Sequence, residues 1–499
     1  MAYTFKGGVH VEEHKNTCKI QTERMPAPPV VTIPMAQHIG KPATPVVKKG
    51  DTVLRGQLIG EVTGGALGCP VHSSVSGKVR EFKEMLTPQG ARVQCCVIEN
   101  DGLDTLSPDI EPYGKKLSDS TFEEIVEIIR AAGISGMGGA GFPTYAKIQS
   151  AKGKVEHLIV NCAECEPYIT CNHRLLLEDP AAVINGLKIL LWALELRQGD
   201  IAVEDNKLDA VNKLEKLTAD TPIVNVRVMK TKYPQGDERQ LISALYGRDI
   251  PAGKLPADVG CVIFNADTCA AIYNAFANGM PLIERPVTVD GDCVRDPKNV
   301  IAPIGAPLSS LVEYCGGLKR KPVKIITGGP MMGQAQWDYE TPVIKGTSAL
   351  LVQSKRTAID YGGQSACIHC GRCLQVCQMY LMPKYLAMFS QAGRIDMCEK
   401  YDALSCVECG SCTYICPGHV PITQYIRAAK FKINEQRAAE RARIAREQAE
   451  LAAKEAAAKE AEAKEAGANN AGADDAAAEK TAETSAADKT DKTEGKEEK

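Results

Sequence analysis

Cys367-Ile368-His369-Cys370-Gly371-Arg372-Cys373-Leu374-Gln375-Val376-Cys377 packs four cysteines into eleven residues with the spacing C-x2-C-x2-C-x3-C. Cys406-Val407-Glu408-Cys409-Gly410-Ser411-Cys412-Thr413-Tyr414-Ile415-Cys416-Pro417 repeats it. Soft thiolates at this spacing are iron–sulfur ligands. Three of them wrap one face of a cubane, and the fourth comes from the other motif when two such runs share a module. The spacing therefore predicts two [4Fe–4S] clusters. One is held by Cys367, Cys370, Cys373 and Cys416, the other by Cys406, Cys409, Cys412 and Cys377. Zinc sites pair C-x2-C units across a longer gap, and two runs this dense fit that pattern badly. One departure stands out. Gln378 occupies the place after the fourth cysteine where the second motif has Pro417. Met382 to Tyr401, between the motifs, reads as helical, so an all-helical two-cluster module is expected over 351–430.

The rest of the chain divides by pattern. It has 499 residues, 44% hydrophobic, enough for several domains. Net charge is −3, of which the nine acids and five bases of 467–499 carry −4, so nothing points to nucleic acid. Twenty cysteines in a long chain whose first residues (Met1 to Val9) hold no apolar h-region read as reduced thiols and metal ligands. No apolar run reaches the ~18 residues of a membrane span. Residues 1–104 are expected to form a barrel-sandwich β domain, because short strands alternate with glycine around Pro45–Val53, Leu58–Val62 and Val71–Val79. This resembles biotinyl and lipoyl carriers, but the hairpin Gly68-Cys69-Pro70-Val71-His72 lacks their lysine, so the domain is read as structural and unmodified. Residues 105–278 alternate helix and strand: Phe122–Ala132 with Ser118 as cap, strands His157–Val160 and Cys261–Phe264, and an apolar helix Ala181–Leu196. That pattern predicts an α/β domain. Residues 279–350 return to short strands with one helix, Leu308–Cys315. Residues 431–466, with i,i+4 pairs Glu455–Lys459 and Glu460–Lys464, read as a solvated helix. Residues 467–499 lack the apolar surface to pack and are expected to be disordered.

Gly136-Met137-Gly138-Gly139-Ala140-Gly141-Phe142-Pro143-Thr144-Tyr145-Ala146-Lys147 contains G-x-G-x-x-G, but a helix, not a strand, precedes it, so it is not a Rossmann fingerprint. Its glycines still suit amides closing on phosphate, with Lys147 one turn on.

This loop closely resembles the flavin loop of the NADH-binding subunit of respiratory complex I. Asn161-Cys162-Ala163-Glu164-Cys165-Glu166-Pro167, Tyr233-Pro234-Gln235-Gly236-Asp237-Glu238 and Phe264-Asn265-Ala266-Asp267-Thr268 resemble further motifs of that family in the same order. Across residues 5–430 the chain more closely resembles the RnfC subunits of the Rnf complexes, which are ion-pumping ferredoxin:NAD⁺ oxidoreductases. The added matches are Phe5–His10, Gln37–Gly40, Gly328-Gly329-Pro330-Met331-Met332-Gly333 and the paired cysteine motifs.

The resemblance implies a β-grasp, SLBB-like domain at 279–350 and an FMN/NADH-binding domain at 105–278. It implies that Gly136, Gly138, Gly139, Gly141 and Lys147 hold FMN, and that Asn161, Glu164, Tyr233, Gly236, Asp237, Glu238, Asn265 and Thr268 line it. Phe142 and Glu166 would contact the nicotinamide nucleotide. Ala163 and Asp237 stand where complex I has Asp and Glu. The implied activity is that of a peripheral NADH/ferredoxin oxidoreductase subunit of a translocase, on the cytoplasmic face of the membrane. Its partners would be the other subunits of the complex, NAD(H) and, indirectly, ferredoxin. A flavin-less iron–sulfur scaffold and the diaphorase subunit of a soluble hydrogenase or dehydrogenase are the rival readings.

Overall fold

A computed structural model describes the backbone of residues 2–139, 141–358 and 363–484, and side chains as far as 461. One compact unit runs through Arg427, and a second begins at Ala428. Among the described residues no helix is long and apolar enough to cross a membrane.

The centre of the first unit is a parallel sheet in the order Val224–Met229, Gly199–Glu204, His157–Cys162, Cys261–Asn265. The chain enters at His157–Cys162, moves outward through two strands, then returns to the opposite side. The order thus reverses between His157–Cys162 and Cys261–Asn265, and a ligand crevice opens beyond the carboxyl ends of strands at such a point. Both faces are covered, as a parallel sheet requires. Leu158, Val160, Val262 and Phe264 face one core, while Ile159, Cys261 and Ile263 face a second.

Local signals place the helices. Thr121 and Glu124 form a capping box that opens Phe122–Ala131, so the cap is Thr121 and not Ser118. Asp179 caps Pro180–Leu194, and Asn265 caps Ala266–Asn278, which ends on left-handed Gly279.

Four antiparallel strands (Val30–Pro34, Thr52–Val53, Gly77–Leu86, Arg92–Asn100) and three shorter ones (Thr44–Pro45, Leu58–Glu61, Val71–His72) make the sandwich. Its core is continuous with that of the parallel-sheet domain through Ile33, Ile98, Ile134 and Leu158. The carrier-like hairpin is docked. Lys345 Nζ donates to Pro70 O (2.9 Å) and Gly133 O (2.6 Å), and Ile39 N donates to Gly141 O (3.1 Å). The hairpin is a strut under the base of the glycine loop.

A six-stranded mixed sheet built on Glu284–Asp290, Lys298–Pro303 and Ala349–Gln353 forms the third domain. Its edge strand is Glu23–Arg24. The first two dozen residues therefore form an arm across the molecule. The arm bridges to Met229 and Tyr233 and meets Val376 before joining this sheet.

The cysteine module is helical: Arg372–Gln375, Pro383–Gln391, Ile395–Lys400 and Ser411–Tyr414. The helix Ile422–Thr484 follows. Its backbone continues through 467–484, a stretch expected to be disordered. The expectation of disorder rests on missing apolar surface, which the helical backbone there does not supply. Residues 485–499, also within the expected disorder, lie outside the described residues.

Candidate functional site

The crevice at the strand-order reversal gathers most of the glycine-loop constellation. Asn161, last but one in its strand, and Asn265, last in the adjacent one, are partners in register. Asn161 Nδ2 donates to Gly236 O (2.7 Å), tying the Tyr233–Glu238 segment to the sheet edge. Asn265 Nδ2 donates to Asn172 Oδ1 (2.9 Å) while its Oδ1 caps Asp267 N (2.9 Å). The glycine loop lies against it: a Cβ placed on Gly138 would stand 2.6 Å from Asn265 Nδ2. Met137 N donates to Thr268 Oγ1 (3.2 Å), pinning the loop to the neighbouring helix. Gly136 N donates to Phe142 O (2.9 Å), closing the loop at its base.

Gly138 and Gly139 are exposed at the tip, and Gly139 has open space where a side chain would point. Phe142 sits on the rim. Lys147, in the helix Thr144–Ala151 that follows the loop, lies 5.4 Å from the centre of the Phe264 ring. Burial pulls its pKa down, with the Glu238 charge opposing. A desolvated cation beside exposed glycine amides fits a dianionic phosphate.

Four side chains expected to meet flavin or nucleotide are engaged by protein groups here: Glu164, Asp237, Glu166 and Tyr233. The Glu164 carboxylate accepts from Asn172 N (2.7 Å) and His173 N (3.2 Å), capping the helix Cys171–Glu178. Asp237 Oδ1 accepts from Arg239 N (2.9 Å) and caps Glu238–Tyr246. Glu166 turns away from the rim. Its carboxylate accepts from Met332 N (2.8 Å) and Met331 N (3.2 Å), with Tyr233 Oη 3.4 Å away, beneath Gly329 of the Gly328–Gly333 loop. Glu164 and Asp237 thereby satisfy free amides at helix starts, and Glu166 those of a distant loop.

Tyr233 is 1% exposed, and its hydroxyl donates to Cys409 O (2.7 Å). One side chain thus joins the crevice segment to the cysteine module. Cys377, Cys406, Cys409 and Cys412 line a single cavity there, together with Gln378 and Thr423. They surround a space instead of closing on a point, which suits a cubane and not one ion. The other motif faces outward, with Cys367 and Cys370 exposed. Cys416 lies near them by chain geometry, since Ser365 N donates to Gly418 O (2.9 Å).

Two lysines that the sequence did not single out hold the Asn161–Pro167 turn. Lys15 Nζ, from the arm, donates to the carbonyls of Glu164 (2.7 Å), Glu166 (2.8 Å) and Ile169 (2.7 Å). Buried Lys207 donates to Ala163 O (2.7 Å) and Glu204 Oε2 (2.9 Å). No local motif marks either one; both are found only by contact.

Burial pushes the Glu166 carboxyl up to about 7, against the pull of the two methionine amides. A carboxyl whose pKa rises on folding favours the native state below its unfolded pKa and loses that contribution as pH climbs through the folded value. Raising pH from 5 to 8 should therefore lower the wild-type melting temperature more than that of Glu166→Gln. The expected difference is about 2 °C. Parallel melting curves would disprove the buried, shifted carboxyl.

Comparison with known proteins agrees with this layout. Residues 3–103 match the RnfC barrel sandwich hybrid domain and residues 129–274 the Nuo51 FMN-binding domain. Residues 286–335 match the SLBB domain and 366–420 the 4Fe-4S dicluster domain. The chain is 44% identical to the C component of the Na(+)-translocating ferredoxin:NAD(+) oxidoreductase complex of Acetobacterium woodii, over 87% of this chain and 98% of that protein. It is 42% identical to the proton-translocating counterpart of Clostridium ljungdahlii, over 88% and 95%. An NAD+-reducing [NiFe]-hydrogenase structure is also similar, with a TM-score of 0.46 and 17% identity over 63% of this chain and 61% of that one. By its sequence over nearly its whole folded length, and by four domains in the same order, this chain belongs to the RnfC family of ion-translocating ferredoxin:NAD(+) oxidoreductase complexes.

Proposed function

We propose that the chain is the electron-transfer subunit of such a complex, peripheral to the membrane on its cytoplasmic face. It would exchange hydride with NAD(H) at the crevice and single electrons through the cysteine module. FMN can take or give a hydride pair and also single electrons, which is the conversion that nicotinamide and [4Fe–4S] clusters need between them.

The observation that carries this reading is the Tyr233 bridge, 2.7 Å from its hydroxyl to Cys409 O. It makes the cavity of Cys377, Cys406, Cys409 and Cys412 the inner one, beside the crevice. The exposed Cys367 and Cys370 then form the outer face, where a protein partner exchanges electrons. Within the crevice, the glycine loop and Lys147 would hold the phosphate. Asn161, Gly236 and Asn265 would face the ring, Thr268 would fix the loop, and Phe142 would leave one side open to nicotinamide. Glu166, Glu164 and Tyr233 act as supports: they position the turn and the module and do not touch the nucleotide. Other subunits of the complex are its immediate partners, with ferredoxin reached through them.

Metal and flavin analysis of the purified chain tests this. About eight irons and one FMN per chain are expected. Eight irons with no flavin, under conditions that retain FMN in other flavoproteins, would favour a docking scaffold. Full recovery in the soluble fraction with a hydrogenase partner would favour a diaphorase subunit.

A further inference from the structure

We propose that Gln378 sets the two clusters apart in potential by donating an N–H···S hydrogen bond to the inner one; this rests on the reading above that Cys409 ligates that cluster. Gln378 stands where the repeat has Pro417. Its side chain is buried, 6% exposed, and Nε2 lies 3.2 Å from Cys409 Sγ, with Oε1 farther at 3.7 Å. An iron-bound thiolate only accepts, so the amide presents its N–H. Ser411 Oγ lies 3.4 Å from the same sulfur, and Tyr233 binds the carbonyl of the same residue. The segment is held from outside: Gly8 N donates to Val376 O (2.9 Å), and a Cβ on Gly7 would touch Gln378 N at 3.2 Å. The arm therefore fixes the backbone that carries this side chain.

The two motifs are a repeat, so the residue after each fourth cysteine is placed to meet the opposite cluster. Proline has no side-chain donor. Cys370, the counterpart of Cys409, is exposed, and its neighbour Arg372 replaces Ser411. Reduction adds negative charge to the cluster and its sulfurs, so a donor at sulfur stabilises the reduced form more than the oxidised one and raises the potential. The inner cluster gains this from Gln378, and Pro417 offers the outer one no equivalent. The result favours an electron residing beside the crevice over one at the outer face.

Gln378→Met keeps length and shape but has no donor. In redox titration followed by EPR, one of the two clusters in the intact chain should become harder to reduce by about tenfold, or about 59 mV for one electron. The other should not move, and iron should stay at the wild-type count. Unchanged potentials for both clusters would overturn the proposal. A variant that loses a cluster does not end the test, because wild-type protein labelled with ¹⁵N in the glutamine side-chain amide gives an independent readout. Pulsed EPR of the reduced inner cluster should show a ¹⁵N coupling, and its absence also overturns the proposal. Cys409→Ser separates this from the parent reading. If it leaves both EPR signals intact, Cys409 is no ligand and the ligand assignment itself fails.

Discussion

Gly138→Val should empty the flavin crevice and reduce NADH-driven reduction of artificial acceptors by about a hundredfold or more, while both clusters remain reducible by dithionite. The size of the effect follows from what surrounds Gly138. A Cβ there would lie 2.6 Å from Asn265 Nδ2, 2.9 Å from its Cγ and 3.0 Å from its Cβ. Real Cβ atoms do not approach this closely, so either the loop or Asn265 must move. Asn265 cannot move cheaply. It caps Ala266–Asn278 through Asp267 N, donates to Asn172, and ends a strand paired with Asn161. Losing such a cap costs about 1 kcal/mol on its own. The loop is the softer element and would lift, carrying away the amides proposed to meet phosphate. Gly139→Ala is the control, because nothing lies within 4 Å of its added methyl. That variant should fold as wild type and weaken FMN only through direct crowding of the ligand. Measured FMN content, NADH:acceptor rate and iron count decide the matter. Full FMN and full rate in Gly138→Val would place the flavin elsewhere.

The parts of this site that the sequence discloses are those where backbone geometry and local motif coincide. Two short apolar runs ending in Asn161 and Asn265 read as strands with a polar residue at the carboxyl end, and the sheet pairs those two residues. The cysteine spacing discloses the module, because ligand geometry is written in the intervals between residues. The T-x-x-E of Thr121 and Glu124 marks the true cap, three residues beyond Ser118. Other features depend on contacts far along the chain. Glu166 lies within a motif that resembles a nucleotide contact, yet its partners, Met331 and Met332, come about 165 residues later. Nothing local says that a β-grasp loop will close over it. Lys15 is similar: it fills a ring of carbonyls from Glu164 to Ile169 because the arm joins the distant Lys298–Pro303 strand and is drawn across the turn. The hairpin at Cys69 is legible as lacking a modifiable lysine, but its role under Gly133 and Gly141 emerges only once two domains share a core.

Cys377→Ser should remove the inner cluster and leave the outer one, halving the iron to about four per chain. By sequence order Cys377 belongs to the first motif, so a reading in which each motif serves its own cluster would predict loss of the outer one. The cavity favours the crossed assignment proposed above. Cys377 lines it with Cys406, Cys409 and Cys412, and Cys367, Cys370 and Cys373 do not. The short helix Arg372–Gln375 carries Cys373 and ends just before Cys377, a turn that would let these two cysteines serve different clusters. Serine is a poor ligand for iron–sulfur cubanes, whose irons favour soft thiolates. Three remaining thiolates would leave one iron without its protein ligand, and the cluster would be lost or trimmed. Flavin content and NADH:acceptor activity should persist, because the crevice shares no ligand with the cavity. Transfer onward to the outer face should fail, because the cluster nearest the crevice is gone. Cys416→Ser is the reciprocal case and should spare the inner cluster while removing the exposed one. EPR of the two reduced variants distinguishes the arrangements. If Cys377→Ser instead abolishes the signal that Cys367→Ser abolishes, the crossed ligand assignment is wrong and each motif closes on itself.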